Sequence, residues 1–162
     1  MIQLDLVGGQ PDRGLLVGVA SETGDGDAQN LAVSVRDMDF KLELVAVPVS
    51  DVDRAKAFYT DQAGFNADHD HRVSDEIRFV QLTPPGSACS IAIGTGLGES
   101  TPEPGSAQGL QLVVSDINAA HAELAGRGID VSDVQSFPWG EFVFFKDPDG
   151  NGWAVQSIPP RV

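Results

Sequence analysis

Few side chains in this chain have obvious chemical capacity. His69 and His71 stand two apart, with Asp68, Asp70 and Asp75 around them. On a β-strand that spacing puts both imidazoles on one face. Two imidazoles with carboxylates nearby are a donor set for zinc or a similar ion. The run Asp68-His69-Asp70-His71-Arg72 has no apolar alternation, however, so an exposed loop at a strand end is the expected setting. Asp147 and Asp149 form a second pair of acids, inside Asp147-Pro148-Asp149-Gly150-Asn151. Pro148 presets a turn, Gly150 or Asn151 can take positive φ, and Asp side chains bond to turn backbone. A structural role is therefore expected for both acids rather than acid–base work. Cys89 is the only cysteine, which excludes intramolecular disulfides and thiolate zinc clusters. It falls in a predicted strand, where a small buried residue is the natural reading. His121, five residues after Asp116, is expected on a helix surface.

The composition narrows the function classes. A length of 162 residues with 41% hydrophobic content suits one compact domain, or two small modules sharing a core. The net charge is −14, from 24 acidic and 10 basic residues. Such a surface repels phosphate backbones, so no nucleic-acid partner is expected. No apolar run approaches the roughly 20 residues that span a bilayer, so no membrane partner is expected either. No basic segment followed by an apolar stretch marks a secretory signal. Together with the single cysteine, these features point to the cytoplasm.

The elements that must position these residues come in two sets. Residues 1–37 hold six glycines and no aromatic residue, and read as an N-terminal extension, either peripheral strands or flexible. Residues 38–94 read as a first β-α-β-β-β module. A strand over 42–49 leads to Asp51, whose carboxylate can cap a helix running to about Gln62. Gly64 ends that helix. Strands are expected over 65–72, 77–82 and 88–94. A linker rich in Gly, Pro and Ser follows over 95–107. Residues 108–162 repeat the order: a strand over 108–115, Asp116 capping a helix to about Ala125, a stop at Gly126 and Gly128, then strands over 129–137, 141–146 and 152–158. Val49-Ser50-Asp51-Val52 matches Val114-Ser115-Asp116-Ile117 at an offset of 65, whereas Gly64 matches Gly128 at 64. One residue is lost within or just after the second helix. The fold class is α+β, with the modules together forming one domain.

The ordered set Val47-Pro48-Val49-Ser50-Asp51, Ala57-Phe58-Tyr59, Gly64-Phe65 and Asp147-Pro148-Asp149-Gly150-Asn151 resembles the vicinal oxygen chelate superfamily. That superfamily includes glyoxalase I, bleomycin-resistance proteins and extradiol dioxygenases. The resemblance covers about residues 40–158. It implies two β-α-β-β-β modules forming a curved mixed sheet around a cavity, and commonly a homodimer. It also implies four metal-ligand positions. Two lie seven residues before the capping aspartates, at Leu44 and Gly109. One lies three residues after the Asn of the Asp-Pro-Asp-Gly-Asn turn, at Ala154, and the repeat gives Ser90 as the fourth. None of these side chains binds a divalent ion well. On that resemblance the chain reads as a divergent member lacking the usual ligands, and no cofactor is expected.

Strand alternation places Ala46, Ala92, Gln111 and Gln156 on the face of those four positions. The opposite face holds Val45, Val47, Leu110, Leu112, Trp153 and Val155, which suits packing beneath helices. Trp139, between Pro138 and Gly140, can stack on a planar ligand from a loop. Alternation also sends Phe142 and Phe144 to one face and Phe145 to the other. Ser90, Gln111, Gln156 and Trp139 are therefore the candidate ligand-binding residues, and catalytic residues are not assigned. A small-molecule binding or sequestering protein, independent of metal, is the function these features favour. The alternatives are a metal-dependent lyase, isomerase or dioxygenase with atypical ligands, using His69 and His71, and an interaction module whose pocket is closed.

Overall fold

The computed structural model describes residues 38–160, and the extension read over 1–37 lies outside the described residues. The described secondary structure lies in one compact unit that begins at Phe40. Its first module comprises β1 (Leu44–Ala46), α1 (Val52–Ala57) running on as a π-helical turn (Phe58–Gln62), β2 (Asn66–Arg72), β3 (Arg78–Thr83) and β4 (Ser90–Thr95). The second comprises β5 (Leu110–Val114), α2 (Ile117–Gly126), β6 (Gln135–Phe137), β7 (Gly140–Lys146) and β8 (Gly152–Ser157). Sheet A has the order β1-β4-β3-β2 and sheet B the order β5-β8-β7-β6. In each, the first strand pairs parallel with the last and the other pairs are antiparallel. This is the α+β, twice-repeated architecture expected, with the mixed sheet divided into two four-stranded halves.

Both helices begin as their sequences dictate. Asp51 Oδ1 accepts the Arg54 N–H at 3.0 Å, and Asp116 Oδ1 accepts the Ala119 N–H at 3.0 Å. Each cap satisfies a backbone donor that the helix itself leaves free. Asp116→Ala should therefore lower stability by about 1 kcal/mol, and Asp116→Asn by only a few tenths, in urea unfolding. Equal losses in the two variants would refute the capping role.

The helix ends explain the slipped repeat. After α2, the Ile129 N–H donates to Leu124 O at 3.1 Å and the Gly128 N–H to Ala125 O at 3.0 Å. With Gly128 at φ +87°, this is a Schellman closure. The first helix carries one more residue before Gly64, and absorbs it by widening into the π-helical turn, where Ala63 N–H donates to Phe58 O at 3.0 Å. A π turn accommodates a single inserted residue without breaking the helix.

Two sequence expectations need correction. The span 129–134 is not strand. Its start is tied back to α2, and it touches β7 through Ser132, whose N–H donates to Phe144 O at 2.9 Å while its Oγ accepts the Phe144 N–H at 2.9 Å. Only Gln135–Phe137 is strand. Conversely, Asp68–Arg72 lies within β2, as the strand expected over 65–72 requires, and not in the exposed loop expected around the two histidines. β2 is an edge strand with every residue exposed, so no apolar alternation is demanded of it. Asp70 is held there by Arg78 and Lys56, at 2.9 and 2.8 Å. Hydrogen bonds from Arg78, then from Lys56, hold its carboxyl well below the usual range.

The inner faces of both sheets meet in one core. Val80, Leu82, Ile91 and Ile93 come from sheet A, and Val143, Phe145, Trp153 and Val155 from sheet B. The first helix lies between them: α1 packs on β4, while Phe58 meets Phe145 and Tyr59 meets Trp153, with ring centroids 6.3 and 5.9 Å apart. The outer faces of the two sheets therefore look away from this core in different directions.

The Asp-Pro-Asp-Gly-Asn turn fastens the modules together. Asp147 is buried; its Oδ1 accepts the N–H groups of Asp149 and Asn151, and its Oδ2 accepts Tyr59 OH at 2.8 Å and Asn151 Nδ2–H at 2.7 Å. Asn151, fully buried, also donates to Pro48 O and accepts from Ala107 N–H. Asp149 accepts from Ser50 and Arg54 at the entrance of α1. Burial and the Asp147 carboxylate push the Tyr59 hydroxyl above its ordinary range, so Tyr59 serves as a neutral donor. Both acids are thus consumed by structure.

Candidate ligand-binding site

Strand register decides which side chains each outer face carries. In sheet B, Gln111 stands opposite Ala154, Val113 opposite Gln156, Phe142 opposite Gln156 and Phe144 opposite Ala154. These residues lie on the face turned away from the core. Phe137 and Trp139 extend it at the β6–β7 hairpin, where Pro138 and Trp139 form the two-residue connection. The aromatic rings make a continuous row. Trp139 stacks on Phe137 with centroids 5.4 Å apart, Phe137 meets Phe142 edge-on at 5.6 Å, and Phe142 stacks on Phe144 at 6.0 Å. Phe142 is buried, but Phe137, Phe144 and Trp139 are exposed, Trp139 to 61%. An exposed aromatic row has the shape and chemistry to stack on a planar partner.

The amides on this face are already oriented. Gln111 Nε2–H donates to Gln156 Oε1, and Gln156 Nε2–H donates to Trp139 O at 2.9 Å. Gln156 is thereby tied to the hairpin that carries Trp139. At the other end of the face an open cleft of about 760 Å³ is lined by Phe144 over a floor of Gly109, Gly152 and Ala154. That volume falls within the range of small-molecule sites. Gly109 has φ +75° and open space where a Cβ would point, so the floor is bare there. Lys146, Asp130, Ser132 and Gln108 supply polar groups of both charge signs at the cleft.

Ser90 lies elsewhere. It is on the outer face of sheet A, opposite Leu44, and is almost fully buried. Its hydroxyl is engaged by Gln81 Nε2–H at 3.1 Å and by the Thr83 hydroxyl at 2.6 Å, and Thr83 in turn donates to Asp68. One chain therefore brings Gln111, Gln156 and Trp139 onto one face and leaves Ser90 on another. Cys89 is half-buried just before β4, and His121 is half-buried on α2. Phe144, Asp130 and Lys146 are cleft residues that the sequence does not mark as ligand contacts. Alternation marks Phe144 as outward-facing, but only the tertiary structure shows that it stays partly exposed among the described residues.

A family model for the Glyoxalase/Bleomycin resistance protein/Dioxygenase superfamily matches residues 41–155. The chain belongs to that superfamily. Among solved structures similar to this member is TnmS3, an antibiotic binding protein from Streptomyces sp. CB03234. It is 34% identical, with a TM-score of 0.66 over 74% of this chain and 97% of that one. A superfamily member from Sphaerobacter thermophilus is 30% identical, with a TM-score of 0.65 over 74% and 98% of the two chains. The Bacillus subtilis protein YetH is 31% identical over 117 residues, covering 70% of this chain and 94% of its own.

The superfamily's metal-dependent members raise the question of an ion, and the residues present do not fit one. Leu44 and Ser90 are register partners in sheet A, whereas Gly109 and Ala154 both line the cleft of sheet B. None of the four carries an imidazole or a carboxylate. Catalysis by Lewis-acid polarisation of a bound oxygen has no ligand set at these positions.

Proposed function

We propose that this superfamily member binds a small organic molecule without using a metal, and that the ligand lies against the outer face of sheet B. The observation that carries the reading is the exposed aromatic row of Trp139, Phe137 and Phe144 beside a cleft floored by Gly109 and Ala154, where metal-binding relatives would need ligating side chains. A flat aromatic molecule, neutral or cationic, suits that surface, and the charge of −14 draws cations toward it. The antibiotic-binding relative TnmS3 supports a sequestering role over turnover. Gln111 would meet the ligand's polar groups, with Gln156 holding Gln111 and the Trp139 hairpin in place.

The same reading includes a homodimer in the cytoplasm. Ser90 and Gln156 sit on outer faces that look in different directions within one chain, so a site containing both needs sheet A of a second copy over sheet B of the first. No helix among the described residues is long and apolar enough to cross a membrane.

Thermal-shift screening against planar aromatic antibiotics tests the function. A ligand at one hundred times its Kd should stabilise the fold by about 2.7 kcal/mol, with or without chelator. A panel in which no compound moves the melting temperature would favour a closed interaction module instead.

A further inference from the structure

We propose that His69 and His71 form a two-point chelating site for a late first-row divalent ion, Cu²⁺, Ni²⁺ or Zn²⁺, on the outer face of sheet A. The register carries the inference. His69 stands opposite Gln81 and His71 opposite Phe79, and those residues pair in turn with Ala92 and Gly94. Both imidazoles therefore share the face turned away from α1, over neighbours that are small or uncharged. Their rings lie side by side, with centroids 5.6 Å apart and planes 21° from parallel. Both side chains are exposed on an edge strand. Rotation about their χ angles is open to solvent and brings one nitrogen of each ring to the roughly 3 Å separation that two bonds of about 2.0–2.1 Å to one ion require.

The carboxylates of β2 do not compete for this role. Asp70 projects to the opposite face and is bound by Lys56 and Arg78. Asp68 sits at the irregularity in the β2–β3 register and accepts from Thr83. The nitrogen donors of the outer face are thus the two imidazoles, with the Asp68 carboxylate engaged by Thr83 beside them, and no group of three or more His, Cys, Asp or Glu among the described residues could hold an ion. A pair of neutral imidazoles suits Cu²⁺, Ni²⁺ and Zn²⁺, whereas Mg²⁺ and Ca²⁺ take oxygen donors. Each imidazole contributes one lone pair, and water completes the coordination sphere. The acidic surface raises the local concentration of any cation. The site is separate from the aromatic face of sheet B, so failure of either proposal leaves the other standing.

Calorimetric titration of the full-length chain, free of any affinity tag, with Cu²⁺ in a non-chelating buffer tests the site. One ion per chain is expected. His69→Ala and His71→Ala should each weaken binding at least about tenfold, and the double variant should abolish it, whereas His121→Ala should change nothing. Electron paramagnetic resonance of the copper-loaded protein should show two coordinated imidazole nitrogens in the wild type and one in each single variant. Circular dichroism would confirm that the variants keep the fold. Copper binding that survives in the folded double variant would overturn the proposal, as would two nitrogen ligands persisting in either single variant.

Discussion

Asp147→Ala should destabilise the fold by about 3–5 kcal/mol, a loss reserved for breaking a buried polar network. The wild-type carboxylate accepts four hydrogen bonds, from Tyr59 OH, Asn151 Nδ2–H and the backbone N–H groups of Asp149 and Asn151. Alanine leaves these donors without an acceptor, two of them on the buried Tyr59 and Asn151 side chains. An unsatisfied buried donor costs about 1–3 kcal/mol. The damage spreads to the module junction, because Asn151 also holds Pro48 O and the Ala107 N–H. Asp149→Ala is the control: its carboxylate is nearly buried, but its partners Ser50 and Arg54 reach solvent, and the loss should be about 1–2 kcal/mol. Urea midpoints with an unchanged slope would measure both. Similar losses in the two variants would mean that the turn is not the fastening it is described to be.

The second large effect concerns ligand affinity. Phe144→Ala and Trp139→Ala should each weaken binding of a planar ligand about tenfold, since an aromatic contact is worth about 0.5–1.5 kcal/mol beyond the area it buries. Together they should approach a hundredfold, provided that the two rings do not share one contact. Stability should scarcely move for Trp139→Ala, because the indole is 61% exposed and its backbone carbonyl, not its ring, is the group Gln156 holds. Loss of affinity without loss of stability separates a ligand contact from a packing residue. Affinity unchanged in both variants would remove the aromatic row from the site.

Much of the fold is legible in the sequence because its signals are local. Asp51 and Asp116 announce helix starts, Gly64 and Gly128 announce helix ends, and period-2 alternation separates Gln111 and Gln156 from Leu112 and Val155. The change of repeat offset from 65 to 64 is visible as a number, but its physical form, the π-helical turn Phe58–Gln62, requires the structure. What stays hidden depends on distant partners. Residues 129–134 have a strand-like composition, yet the Schellman closure and the bonds of Ser132 to Phe144 decide their path. Ser90 reads as a free hydroxyl on the right face, and only the register with Gln81 and Thr83 shows it already bonded. His69 and His71 fall in the span read as strand over 65–72, yet their own run reads as an exposed loop, because an edge strand has no apolar face to advertise it. The cleft lies outside sequence reasoning for a similar reason: its polar groups, Asp130, Ser132 and Lys146, come from segments distant in sequence that only the tertiary structure brings together.

On the proposed function, binding at the aromatic face of sheet B needs no metal. Its most direct test is calorimetric titration of chelator-treated, metal-free protein with a planar aromatic antibiotic that raises the melting temperature. Saturable binding, with the same Kd before and after chelation and about tenfold weaker for Phe144→Ala, is the predicted result. Binding that vanishes on chelation and returns only when zinc, nickel, manganese or iron is restored would contradict it.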